Sequence, residues 1–294
     1  MEPKQMIGLL VQASLFLMIA AVAMESDWRS VLAHLRQPAR LLRAIIAVNV
    51  VVPLLAFILV KIMALDPPVA AGLILMSVSP LAPLVPGNAL KSGADRSDVL
   101  ALYAVLIALA IFLVPLTVVI INPFFAHHAN APVALIARIV VVSGLLPIVL
   151  GLAFAALLPA LARRAARVLK ILSNLILLLF VLLLLWAEGR EFLELLGDGT
   201  IIAFACTAFG ALLAGYWLGG PDRTGRATLG ITAAIRHPGM AIAISQASGG
   251  RTQTTVAILL FLLNSAVIVA LYQAWLRRSA PGAISREASS GAAD

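Results

Sequence analysis

Nine long windows almost free of charge dominate this chain, at residues 6–24, 44–60, 67–90, 99–121, 132–161, 171–187, 200–220, 227–250 and 254–276. Most reach the roughly 20 residues that carry an α-helix across the hydrocarbon core of a bilayer, and the shorter ones adjoin residues that complete a span. With 62% hydrophobic and only 12% charged residues, the chain lacks the polar surface that a water-soluble fold of this size must present. The sequence therefore predicts an all-α polytopic membrane protein with nine transmembrane helices, forming a single transmembrane domain over 1–294.

The basic residues orient that bundle. Arg29, Arg36, Arg40 and Arg43 follow the first window, Lys91 and Arg96 the third, Arg163, Arg164, Arg167 and Lys170 the fifth, Arg223 and Arg226 the seventh, and Arg277, Arg278 and Arg286 the ninth. The alternate side receives Lys4, Lys61, Arg138, Arg190 and Arg251, so the division is fifteen against five. Cytoplasmic ends carry the excess of Lys and Arg, which places the N-terminus outside the cytoplasm and the C-terminus within it, with 279–294 a disordered cytoplasmic tail. The net charge of +8 is then a cytoplasmic fringe, and no nucleic-acid partner is expected because no basic face pairs with aromatic platforms. Cys206, the single cysteine, excludes an intramolecular disulfide and a multi-cysteine metal site. A competing reading makes the first window a cleaved signal peptide with "AVA" at 21–23 as its cleavage site. Its n-region holds only Lys4, offset by Glu2, and its apolar core is long for that role.

Two windows look broken. The third carries Pro80, Pro83 and Pro86 in "SPLAPLVPGN" and the eighth carries Pro238 in "IRHPGMAIAISQ". Each proline removes an amide donor and clashes with the preceding turn, and Gly87 and Gly239 directly after Pro86 and Pro238 ease departure from helical geometry. Pro53, Pro115 and Pro147 stand singly and need only kink their helices. On the nine-span count the two breaks run in opposite directions, five spans apart. That layout predicts an inverted-topology repeat, with 1–121 (spans one to four) set against 168–278 (spans six to nine) and 132–161 connecting them. Transporters of this type place substrate and ion sites where paired discontinuous helices meet near the midplane. The alternative is a pair of ordinary kinks, with Asn88 near the interface.

Arg236 lies far from either end of its window, where an exposed arginine costs about 2.5 to 3.5 kcal/mol or more. No carboxylate lies centrally in any window, since Glu188, Glu191, Glu194 and Asp198 fall in the loop after the sixth. An anionic substrate is one natural complement, and backbone carbonyls at the helix break are the other. His237 could carry a coupling proton or be neutral and structural. Thr232, one turn before Arg236, shares its face, and Asn49, Asn174, Gln246 and Asn264 either line a cavity or hold helices together. The candidate substrate-binding set is Arg236, His237, Asn88, Thr232, Gly87, Gly239 and Asn264. No metal site and no cofactor are expected. Nor does the chain suggest an enzyme: His127 and His128 are an adjacent loop pair, and no catalytic constellation or nucleotide loop is present.

Taken together, "SPLAPLVPGNALKSGADRS" in the first half and "LGITAAIRHPGMAIAISQASG" in the second, set in nine spans, resemble the bile acid:sodium symporter family, in particular its divergent bacterial branch. The resemblance implies a panel domain and a core domain built from two inverted repeats, two broken helices crossing in the core, and secondary transport of organic anions across the inner membrane. The chain departs from the family's pattern where sodium would be held. Thr232 and Arg236 stand at the positions of the family's glutamate and glutamine, His237 at the adjacent asparagine, and Leu84 and Val85 at a serine-asparagine pair that a small register shift would move toward Asn88. Two like unit charges about 4 Å apart repel by roughly 4 kcal/mol at an effective dielectric of about 20, so an arginine there argues against a bound cation.

The leading expectation is a carrier for a small organic anion, sodium-independent or proton-coupled. The alternative is a sodium-coupled organic anion symporter with displaced ligands. A substrate-gated channel and a transport-dead sensor are the readings from another class. The expected partners are the anion, a coupling proton or sodium ion, and the lipid bilayer.

Overall fold

The computed structural model describes residues 3–121, 133–187, 189–197 and 199–279. His127, His128, Glu188, Asp198 and 280–294 lie outside the described residues. The described elements are helical, apart from one isolated antiparallel bridge between Leu81 and Arg236.

The chain opens with α1 (Pro3–Met24), then two short helices, α2 (Trp28–Leu35) and α3 (Pro38–Ile45). Asp27 caps α2 by accepting from the Arg29 amide, and Pro38 begins α3 at a position where a missing N–H costs nothing. A π turn, Ile46–Val51, joins α3 to α4 (Val52–Ile62), and a second π turn, Val141–Leu145, joins α8 (Val133–Val140) to α9 (Leu146–Leu157). Each π turn stands immediately before a proline near the next helix start, Pro53 or Pro147. A proline cannot donate to the carbonyl four residues back, and the widened turn takes up the missing bond. Both prolines were expected to kink their helices, and the π turn is the form the distortion takes. Pro115 instead sits inside the long helix α7 (Arg96–Ile121).

Between α4 and α7 lies the first broken helix, α5 (Pro67–Val78) and α6 (Val85–Leu90). After α9 come α10 (Pro159–Ala187), α11 (Gly189–Glu194) and α12 (Thr200–Leu218); the second broken helix, α13 (Arg223–Ala234) and α14 (Pro238–Ala247), and finally α15 (Thr252–Arg278) follow. Arg163, Arg164, Arg167 and Lys170 therefore lie within the first turns of a 29-residue helix.

Among the described residues, five helical stretches are long and apolar enough to cross a membrane: Pro38–Ile62, Arg96–Ile121, Ala134–Leu157, Thr200–Leu218 and Thr252–Arg278. The protein is an all-α polytopic membrane protein with two discontinuous helices. Its outer surface is apolar in the manner of a lipid-facing wall: Leu175, Leu178, Leu179 and Leu182 of α10 and Phe112 and Leu116 of α7 are all exposed. Trp186 and Trp217 are exposed near the ends of their helices, where indoles favour the membrane interface.

Packing sorts the helices into two groups. In one, α1 lies along α9 and α10; in the other, α12 packs on α13 and α4, and α15 packs on α5, α12 and α14. Glycine permits the closest approaches within each group. A Cβ on Gly151 would stand 2.4 Å from the Ala20 carbonyl oxygen of α1, and one on Gly215 would stand 2.4 Å from that of Leu229. Only a residue without a side chain fits such backbone-to-backbone contacts.

Candidate functional site at the helix crossing

The two breaks meet. α5 ends at Ser79, whose extended backbone (φ −65°, ψ 151°) leaves the helix, and Pro80 and Pro83 withhold the donors that Met76 and Ser79 carbonyls would receive in a continuous helix. α13 ends at Ala234, with Ile235 and His237 both extended. The two unwound stretches run antiparallel, bridged at Leu81 and Arg236, and the His237 amide donates to the Pro80 carbonyl at 2.9 Å. Around this point α14 packs on α5 and α6 packs on α13, so each second half-helix rests on the first half of the other broken helix.

Arg236 is fully buried and is the largest of the side chains buried to that degree. Its guanidinium donates through Nε to the Met76 carbonyl (3.3 Å), through Nη1 to Val48 (3.1 Å) and through Nη2 to Ser77 (2.6 Å). Met76 and Ser77 belong to the last turn of α5, where the helix dipole favours a cation; the Met76 carbonyl also accepts from the Ser79 amide (3.2 Å) and hydroxyl (2.8 Å). Val48 lies inside the first π turn, which also loosens the regular carbonyl pairing. In this conformation Arg236 takes the backbone-carbonyl role foreseen as the alternative to binding an anion. Among the described residues no carboxylate pairs with it.

His237 caps α14, its Nδ1 accepting from the Met240 amide at 3.2 Å. That bond fixes the neutral tautomer with the proton on Nε2. The residue is 1% exposed and Nε2 has no hydrogen-bond partner among the described residues. Thr232 is buried and returns its hydroxyl to the Thr228 carbonyl at 2.7 Å. Gly239 is a packing residue here, since a Cβ on it would lie 1.8 Å from Leu15 Cδ1 of α1 and 3.4 Å from His237 Cε1.

The remaining candidates lie elsewhere. Asn88 in α6 donates to the Leu84 carbonyl (2.9 Å), while Gln273 of α15 donates to the Asn88 carbonyl (2.9 Å) and side-chain oxygen (3.3 Å). Gly87 faces open space. Asn264 in α15 holds a buried Oδ1 with no partner among the described residues. The crossing thus gathers Arg236, His237, Thr232 and Gly239, but not the amide of Asn88.

Sequence reasoning missed a polar cluster at the start of α7. The Asp98 carboxylate pairs with Arg40 and lies 3.0 Å from His34 Nε2, while His34 Nδ1 lies 3.1 Å from the Ser30 carbonyl. Glu25, just past α1, bonds both Lys170 (2.5 Å) and Arg96 (2.6 Å). The signal available was an acid beside each of two basic clusters at the ends of apolar windows. Among the described residues no group of three His, Cys, Asp or Glu side chains could hold a metal ion.

Comparison with protein families finds a match of residues 12–195, more than half of the chain, to the model described as the Sodium Bile acid symporter family. The matched stretch includes the first broken helix and stops before the second. A search of curated proteins gives no match.

Proposed function

Because the chain belongs to the sodium bile acid symporter family, and is thus a membrane transporter and no enzyme, we propose that it carries a small organic anion by alternating access without sodium. Its layout in this reading is nine spans, counting α1, α10 and the two broken helices with the five long stretches, arranged as inverted repeats over 1–121 and 168–278 about the 132–161 span. The reciprocal packing of α6 on α13 and α14 on α5 supports that symmetry. The basic fringe supports an inner-membrane orientation with the C-terminus in the cytoplasm.

The observation that carries the sodium-independent reading is the Arg236 guanidinium on three main-chain carbonyls. Carbonyls at a helix break are the oxygens that would otherwise coordinate a cation. Here a covalently tethered positive charge already occupies them, and a sodium ion would have to enter against it. Coupling then falls to a proton, with His237 as the group at the crossing able to take one up. Protonating Nδ1 would remove the acceptor that caps α14, so charge at His237 and the geometry of the crossing are linked.

The test is thermal unfolding of the purified protein titrated with sodium chloride and, separately, with potassium chloride at equal ionic strength. A ligand bound to the native state alone raises apparent stability by mass action. Matching curves are expected; a saturable rise in sodium only would overturn the sodium-independent reading in favour of a sodium symporter with displaced ligands.

A further inference from the structure

α12 and α15 pack side by side, and Phe204 and Phe261 meet edge to face between them at 5.5 Å. Beyond that pair, toward the C-terminal ends of both helices, lies a groove of about 500 Å³, within the roughly 300–1,000 Å³ of ligand pockets. Phe209, Leu213 and Tyr216 line it from α12, and Ile268, Tyr272 and Trp275 from α15. Both triplets are spaced by four and three residues, so each is one helix face turned on the groove. Phe209 and Trp275 are each 52% exposed, which opens the groove on the outer wall of the bundle. No residue of the helix crossing lines it.

The groove is apolar except near those ends. There the Tyr272 ring stacks on Trp275, centroids 5.9 Å apart, and its hydroxyl is buried with no hydrogen-bond partner among the described residues. Buried polar groups normally find partners, so this phenol points to an acceptor that the chain does not supply. Cations stand at the same end. The Arg226 guanidinium lies 5.6 Å from the Tyr216 ring centroid and donates through Nε to the Gly220 carbonyl at 2.8 Å. A Cβ on Gly219 would stand 2.4 Å from Arg226 Cα, so the end of α12 holds the start of α13 against itself. Arg223 donates through Nη1 to the Ser279 carbonyl just past α15 at 3.2 Å and lies within electrostatic reach of the Tyr272 hydroxyl. Asp222, the acid beside them, lines a different pocket with Arg40 and Asp98. Among the described residues no carboxylate pairs with Arg223 or Arg226, and a guanidinium has five N–H donors, so each keeps some for a further acceptor.

We propose that the groove between α12 and α15 is the docking site of a resident anionic phospholipid of the surrounding bilayer. One acyl chain lies between the two helix faces, an ester carbonyl accepts from the Tyr272 hydroxyl, and the phosphate accepts from Arg223 and Arg226. Forked guanidinium donors match phosphate oxygens. On the orientation proposed above this end meets the cytoplasmic leaflet, whose anionic lipids are drawn to basic pockets between helices. The convex wall around Leu175 and Leu178 has no such polar end and asks only for lipid as solvent. The bound lipid joins the ends of α12 and α15 to the start of α13, and its docking is independent of what the protein carries.

The test is the thermal midpoint of the full chain, stripped of lipid in detergent and titrated with dioleoylphosphatidylglycerol or, in parallel, dioleoylphosphatidylcholine. A ligand of the native state raises the midpoint saturably, and the anionic lipid is expected to do so with the higher affinity. Arg223→Gln/Arg226→Gln is expected to weaken phosphatidylglycerol by about tenfold through lost charge-assisted bonds. Tyr272→Phe is expected to weaken it about threefold while leaving the lipid-free midpoint equal or higher, because the change removes an unpaired buried hydroxyl. A tyrosine with a packing role alone would lower that midpoint and leave the lipid response untouched. Should the double arginine variant fail to fold, Leu271→Trp, at a groove position 63% exposed, fills the slot and is expected to abolish the difference between the lipids. Equal responses to the two lipids in the unaltered protein, or phosphatidylglycerol affinity within twofold of it in these variants, would overturn the site. An equal rise with glycerol-3-phosphate, which has the head without the chains, would overturn the lipid in favour of a soluble phosphate. Native mass spectrometry showing a lipid-free dimer that Leu271→Trp dissociates would give the groove to a second copy of the chain and overturn it as well. Loss of the carrier reading would leave each of these outcomes unchanged.

Discussion

The two broken helices look alike in sequence, each with a Pro-Gly pair beside a polar residue, yet they contribute opposite halves of one set of hydrogen bonds. The break after α5 offers acceptors, the carbonyls of Met76, Ser77 and Pro80, because the chain leaves the helix at Ser79 and Pro80 has no amide for Met76. The break after α13 offers donors, the Arg236 guanidinium and the His237 amide. Non-helical backbone at membrane depth must be satisfied by protein or water, and here each break satisfies the other. Two breaks alike in sequence have become a chemically directional joint.

That contrast can be broken most directly at Arg236. Arg236→Ala would take the guanidinium donor from the buried Ser77 and Val48 carbonyls, at about 1–3 kcal/mol for each, so a total loss of about 2 kcal/mol or more is expected, read as a large fall in thermal midpoint. An unchanged midpoint would mean that the donor break is not what holds the acceptor break. Next comes Gly239→Ala, whose added methyl collides with Leu15 Cδ1; overpacking of this kind costs about 1–3 kcal/mol. The double change Gly239→Ala/Leu15→Ala should recover part of the loss, and no recovery would place the strain elsewhere. The smallest effect is at the cap. His237→Ala should cost about 1 kcal/mol of stability, whereas His237→Asn, also a good N-cap, should stay close to the unaltered protein. Equal losses in the two variants would show that Nδ1 does not serve the Met240 amide.

The existence of both breaks was legible because a proline acts locally, on the donor it lacks; the part given to Gly87 and Gly239 was not, since each lies inside the half-helix that follows its break, α6 or α14. The partners of Arg236 were not, because Val48 and Ser77 are 188 and 159 positions away. Nothing in the run around 236 distinguishes an anionic ligand from three distant carbonyls. Thr232 was expected to share a helix face with Arg236, but α13 ends at Ala234, and the Thr232 hydroxyl turns back to Thr228 within its own helix. Glu25 went unnoticed because an acid at a window's end is ordinary until the fold brings Lys170, 145 positions on, to meet it. The stretch around 163–170 read as a connection after the fifth span, since a run of basic residues breaks an apolar window without breaking a helix.

The glycine contacts have a mechanical consequence. Within the groups, Gly151 brings main chain against Ala20 and Gly215 against Leu229, while Gly210 of α12 meets only the Leu55 side chain of α4. Across the boundary between groups, Gly239 of α14 meets only the tip of Leu15, and Gly144 meets only the Met240 methyl at 3.1 Å and Ile107. Backbone against backbone resists shear, while the flexible, unbranched methionine side chain adapts more readily. Gly151 and Gly215 thus key seams within the groups through main chain, whereas the glycine contacts at Gly239 and Gly144 between them are made by side-chain tips.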